Sequence, residues 1–264
     1  MNIFIRELKA NFRALLIWGG IMILFIVMAM TKFSAYAGNP EMLEIMDSMP
    51  PAILEAFQMN AFNLTTVTGF FGVCFTYFAL LSSVYAVMLG SDIISKEERD
   101  KTVEFALTLP IPRRKLITSK ILAAVILCIA FLVIILGASL VSVAQYQPDR
   151  EFYDFMTLCM VALLIMQMTF LAIGIFLGCA MRRYKRAVSV AVALLLGSFF
   201  LSIISGLNEN LEFLKYFSPF EYFSPSELLN EARIDLTFVL ISVGIIAISI
   251  IGGYLTYERR DLYI

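Results

Sequence analysis

Six stretches of the chain, about 14–30, 62–90, 121–143, 155–181, 187–205 and 236–255, are almost wholly apolar, and polar or charged segments separate them. A bilayer-crossing helix needs roughly 17 to 25 such residues, so the pattern predicts six transmembrane spans. Residues 1–13 differ. There Ile5, Leu8, Phe12 and Leu15 share one side of a helical wheel and Arg6, Glu7, Lys9 and Arg13 lie elsewhere, which predicts an interfacial helix on the inner leaflet. After span one, Asn39-Pro40 opens a short helical pattern with Met42, Leu43 and Met46. Pro50-Pro51 opens another with Ile53, Leu54 and Phe57, and both read as outer-surface helices. After span five, residues 206–235 are acidic and rich in aromatics, including Tyr216, Phe217, Phe220, Tyr222 and Phe223, and are expected to rest at or dip into the outer interface. The expected fold class is an all-α membrane protein forming a single transmembrane domain over 1–264.

Between spans two and three, residues 91–120 carry the densest charge in the chain. Val103, Ala106 and Leu107 repeat at helical spacing, as do Phe105 and Leu109, so a short helix with an apolar side is expected before Pro110 ends it. Ser95 and Glu98 match a capping box, with continuation of the preceding span as the alternative. Glu97 and Lys101 are spaced to pair along a helix, and Pro112 suits the first turn of the next one. Such an elbow is built to touch a partner.

Composition agrees with membrane residence: 60% of residues are hydrophobic and 16% charged, and mean hydropathy is +0.86. The net charge of -1 hides an asymmetry. Sixteen of the 20 lysines and arginines fall in the N-terminal segment, the 91–120 stretch, the loop after span four (Arg182, Arg183, Lys185, Arg186) and the C-terminal tail. The positive-inside rule therefore predicts both termini and the 91–120 stretch in the cytoplasm. A signal peptide is the rival reading of the first apolar run, because Ala35-Tyr36-Ala37 resembles a cleavage site. That run exceeds the ~7 to 15 residues of a signal core.

There is no histidine, and Cys74, Cys128, Cys159 and Cys179 all lie in apolar segments, so metal sites and histidine-based catalysis are disfavoured. No Asp, Glu, Lys or Arg falls in the core of any span, which disfavours a self-sufficient ion-coupled carrier. No GxxxxGK[ST] motif occurs, so any driving energy must come from another polypeptide. Span two carries a stripe of small residues, Thr65, Gly69, Gly72, Thr76, Ala79, Ser83, Ala86 and Gly90, in alternating steps of four and three. Such a face permits close helix packing or lines a polar path, and the two can coexist. Gly174 and Gly178 in span four have GxxxG spacing, more often ordinary packing than a dimer seam.

Glu98, then Thr102-Val103-Glu104-Phe105, then Leu107-Thr108-Leu109-Pro110-Ile111-Pro112-Arg113 and Lys120 resemble the signature of permease subunits of ABC type-2 transporters. Supporting similarity includes the Glu7-Leu8-Lys9 opening, Met49-Pro50-Pro51-Ala52-Ile53-Leu54, the 216–223 segment and the Arg259-Arg260-Asp261 tail. Lys101 stands where Gly is frequent and Pro112 where Ser is frequent. The resemblance implies a bacterial cytoplasmic-membrane exporter of the type V fold. Two permease copies, as a homodimer or with a close paralogue, would work with two cytosolic ABC ATPase subunits that hold the ATP and Mg2+. The chain itself would bind no cofactor or metal and would not be an enzyme; membrane lipid is expected around it and nucleic acid is not a partner. A coupling helix around Thr102 to Leu109 would seat in the ATPase, with Glu98, Thr102, Val103, Glu104, Leu107, Pro110, Arg113 and Lys120 as its ATPase-coupling residues. Spans two and five would face the path, which suggests Thr65, Gly69, Gly72, Thr76, Ser83, Ser198 and Ser202 as its lining.

The alternative is a membrane scaffold or sensor whose cytosolic loop recruits a regulator without transport. An intramembrane enzyme is disfavoured because the spans lack paired acids and Ser-Lys or Ser-His arrangements. Small, uncharged path residues favour an amphipathic or apolar cargo, such as a lipid-like molecule or antimicrobial peptide, over a bare ion.

Overall fold

The computed structural model describes residues 3–39, 48–50, 54, 62–99, 112–181, 183–207 and 209–259. Among them are six helices long and apolar enough to cross a membrane. We label these α1 (Ile3–Tyr36), α2 (Val67–Arg99), α3 (Arg113–Val143), α4 (Arg150–Ala180), α5 (Tyr184–Leu207) and α6 (Leu236–Arg259). No strand occurs among the described residues. Most of the outer-helix segment expected after span one and all of the short helix expected around Val103 to Leu109 lie outside the described residues, as does the Glu97–Lys101 pairing.

Each helix runs further than its apolar core. At ~1.5 Å per residue a helix needs about 20 residues to cross a ~30 Å hydrocarbon layer, and α1 has 34. The N-terminal segment is therefore not a separate interfacial helix, which corrects the expectation. It continues into the span without a break, and Glu7 and Asn11 are both buried. The capping box at Ser95 does not form either. The α2 helix continues to Arg99, and Ser95 Oγ donates to the Ser91 carbonyl one turn back at 2.7 Å. Pro112 takes the N-cap position of α3, one residue before the first turn, with φ -63° and ψ 142°. Asp149 caps α4 by accepting from Phe152 N–H at 3.0 Å, and Glu151 and Asp154 lie within the helix.

The core is built on α2 and α4. Of the apolar window of each helix, 72% is buried for α2 and 61% for α4, against 22% to 33% for the other four, so these two stand at the centre. An up-and-down chain makes α2 and α4 parallel. Aromatic side chains join the layers: Phe71 of α2 meets Phe152 of α4 edge-on at 5.3 Å, and Tyr85 of α2 lies 4.5 Å from Phe131 of α3. Trp18 and Phe25 of α1 reach Tyr85 and Phe78 of α2. The far end of α1 is tied to the 3-10 turn after α3 (Ala144–Tyr146) by Tyr146, whose hydroxyl donates to the Met30 carbonyl at 2.8 Å while its ring stands edge-on to Phe33.

After α5 the chain forms a 3-10 run (Glu209–Phe217) and two short helices, Pro219–Tyr222 and Pro225–Glu231, each opened by a proline that needs no N–H partner there. The aromatic segment dips into the bundle. Phe220 is held between Phe170 and Phe199, and Tyr222 stacks on Phe238 with centroids 4.9 Å apart and planes 8° from parallel. Asp235 then accepts from Thr237 N–H at 2.7 Å and caps α6.

Candidate functional site

The charged stretch 91–120 enters and leaves the bundle at the end that carries the N-terminus, and both of its flanks are anchored. On the entering side, Lys96 of α2 lies 3.5 Å from the Glu7 carboxylate of α1, which also accepts from Arg6 at 3.0 Å. Glu7 is 0% exposed, and Asn11 one turn on is buried and donates to the Glu7 carbonyl at 2.9 Å. A buried carboxylate is tolerated only with such partners. On the leaving side, Lys120 of α3 is 1% exposed and donates its Nζ to the Ile93 carbonyl of α2 at 2.6 Å. Arg113 donates from Nη1 to the Tyr257 and Glu258 carbonyls, both at 3.3 Å, at the C-terminal end of α6. Late carbonyls there lack helical donors and carry the negative end of the helix dipole, so an arginine satisfies both needs. Arg114 completes the clamp with a two-pronged pair, Nε and Nη2, on the Glu258 carboxylate. Thr118 Oγ1 and the Tyr254 hydroxyl are 2.7 Å apart one turn further in.

Of the residues singled out for coupling, Arg113 and Lys120 are thus placed in this mounting. Glu98 lies in the last turn of α2, and its side chain is outside the described residues. Thr102, Val103, Glu104, Leu107 and Pro110 are outside them altogether.

The small-residue stripe of α2 lies on buried faces. Thr65 folds onto Asn63, donating N–H and Oγ1 to Asn63 Oδ1 at 2.9 and 2.6 Å, and this turn opens α2. Gly69 and Gly72 have no room for a Cβ because the Asn63 carbonyl and the Phe62 ring press on them. Thr76 and Ser83 are buried deeper. Gly90 packs on the Leu171 carbonyl of α4, and Gly174 and Gly178 of α4 pack on Val87 and Ser91 of α2. The GxxxG pair therefore serves a crossing within the chain. Ser198 and Ser202 sit on α5 and donate to the Leu195 and Phe199 carbonyls of their own helix at 2.8 and 2.7 Å. The Ser198 carbonyl accepts from Ser218 Oγ at 2.7 Å, which pins the aromatic segment to α5. All four cysteines are buried and free.

A family model described as ABC-2 family transporter protein matches residues 1–262. The chain belongs to that family. It is a multi-pass permease of an ABC transporter, and membership implies partnership with an ABC ATPase subunit. No curated protein matches the sequence.

Three residues of this permease escaped sequence reasoning in their structural roles. Glu7 belonged to a surface-helix pattern and Lys96 to a charged run, and only their packing across α1 and α2 shows a pair. Gln167 is the third: it is the only amide side chain in the central part of any span. A neutral amide amid apolar residues is the signal that marks it in the sequence.

Proposed function

We propose that the chain is the permease of an ATP-driven exporter in the bacterial cytoplasmic membrane, with both termini and the 91–120 stretch in the cytoplasm. Two permease copies, identical or closely related, work with two ATPase subunits that hold ATP and Mg2+. The segment carrying Glu98, Thr102, Val103, Glu104, Leu107 and Pro110 seats in the ATPase as a coupling helix. Its motion reaches the bundle through Lys96 on one side and Arg113 and Lys120 on the other. Spans α2 and α5 border the path between copies, in the manner of the type V fold.

The observation that carries this reading is the two-sided mounting. A charged segment with its ends fixed to α1, α2 and α6 delivers a push to three helices at once, whereas a loosely attached loop absorbs it. The scaffold alternative needs no such rigidity.

The test is co-expression with the cognate ATPase, reconstitution in vesicles and measurement of permease-stimulated ATP turnover. Glu104→Ala is expected to lower stimulated turnover by about tenfold or more, the loss of one interface anchor worth above ~1.4 kcal/mol. Unchanged turnover with Glu104→Ala, in a variant that still inserts and folds, sinks the coupling reading and favours the scaffold.

A further inference from the structure

At the end of the bundle opposite the 91–120 stretch, the segment between α5 and α6 folds around an open recess of about 190 Å³. Arg113 meets the last turn of α6, whereas Thr237 and Phe238 in its first turn line the recess, so the length of that helix separates the two. The volume is more than ten times the ~10–15 Å³ that one water needs and below the ~300 to 1,000 Å³ of sites that enclose a drug-sized molecule. It suits a small polar group.

Its lining joins aromatic rings to an excess of negative charge. Tyr216, Tyr222 and Phe238 supply the rings: Phe238 stacks on Tyr222 and lies 6.1 Å from Tyr216. Glu227, Glu231 and Asp235 set three carboxylates against the two cations Lys215 and Arg233. Arg233 pairs with Glu231 at 3.0 Å. Asp235 is held ionised, since the N–H and hydroxyl of Thr237, and then Arg233 and Lys215, keep its carboxyl below the usual carboxylate range. An ammonium already rests on one of the rings, for Lys215 Nζ lies 5.7 Å from the Tyr216 centroid. Among the described residues no three groups of metal-binding type come close enough to hold a metal ion. Negative charge spread around a rim beside aromatic faces suits instead a larger, weakly hydrated cation, which the ring quadrupoles attract without enclosing it in a ligand sphere.

We propose that this recess binds the ammonium group of a small organic cation, with Tyr216 supplying the ring face, Glu227 and Asp235 the counter-charge, and Lys215 acting as a tethered rival that swings away when the ligand enters. In the orientation proposed above, the site opens on the outer surface. The inference does not rest on coupling to an ATPase, because binding is read on the permease alone.

Choline is the probe, titrated by saturation-transfer NMR against the full chain in a non-ionic maltoside detergent, beside its uncharged carbon isostere dimethylbutanol and beside phosphocholine. Choline is expected to saturate in the millimolar range and the other two to bind at least about threefold more weakly. Glu227→Gln removes counter-charge and should weaken choline about threefold, whereas Lys215→Gln removes the rival and should tighten it by a similar factor. Absence of saturation or equal binding of the isostere overturns the proposal. So does tighter binding of phosphocholine, which marks a site for a zwitterionic lipid head group. Either variant leaving choline affinity unchanged, or moving it the opposite way, overturns it too. Glu227 is an exposed residue and Lys215 a half-buried one. If one of these variants fails to fold, Tyr216→Leu, at a ring 51% exposed, takes its place, and unaltered choline affinity there overturns the site.

Discussion

Glu7 is the most consequential single side chain outside the coupling segment, because its carboxylate is fully buried and holds the ammonium of Lys96 and the guanidinium of Arg6. Glu7→Gln keeps the shape and removes the charge. It is expected to lower unfolding stability by about 2 kcal/mol, the range of a hydrogen bond to a charged group. Lys96→Met should lower it less, since Lys96 is 20% exposed. The double variant should be less than additive, read by thermal melts of the four proteins. Asp235 gives a pH signature. The backbone N–H and then the hydroxyl of Thr237 hold its carboxyl below the usual carboxylate range. A depressed folded-state value means that the ionised cap contributes stability above the ordinary carboxylate range, and that this is lost as pH falls through the lowered value. Asp235→Asn keeps an acceptor that does not titrate. Its melting curve should therefore lose part of the acid-side pH dependence seen in the unmutated protein.

Among the elements, the α2–α4 seam sets the geometry of the bundle. Gly90 and Gly174 each face a backbone carbonyl so close that an added Cβ falls well inside the 3.0 Å that real Cβ atoms respect. Neither carbonyl can move without its helix. Gly174→Ala and Gly90→Ala should each destabilise by about 1–3 kcal/mol, the usual effect of overpacking. Gly137 in α3 is the control, for a Cβ there meets nothing within 4 Å. Gly137→Ala should be neutral or stabilise by up to about 1 kcal/mol through helix propensity. Equal melts for Gly174→Ala and Gly137→Ala would contradict the close crossing.

At the scale of the whole molecule, the outer helices present apolar faces of similar size with different expected neighbours. Phe200 of α5 is 60% exposed and Leu24 of α1 is 62% exposed. In the proposed pair of copies α5 faces the partner and α1 faces lipid. The four native cysteines are buried, so an introduced thiol reports cleanly. Phe200→Cys is expected to give an oxidant-dependent dimer band on non-reducing gels of membranes, and Leu24→Cys is expected to stay monomeric. The reverse pattern would move the interface to the other side of the bundle.

The amino-acid sequence by itself determined the helices and the family. Runs of apolar residues long enough to cross a bilayer, prolines at 112, 219 and 225, and aspartates ahead of α4 and α6 act within a few residues of where they stand. The charged stretch resembled the family signature for the same reason, being one uninterrupted string. What only the tertiary structure decided are contacts between residues far apart in the chain. Glu7 on Lys96, Lys120 on the Ile93 carbonyl, Arg113 on the end of α6, and Gly90 on Leu171 all depend on how helices are placed side by side. Periodicity shows which face a residue occupies and leaves open which helix that face meets. The stripe on α2 was legible, whereas its neighbour α4 became known only once close backbone approach set the register.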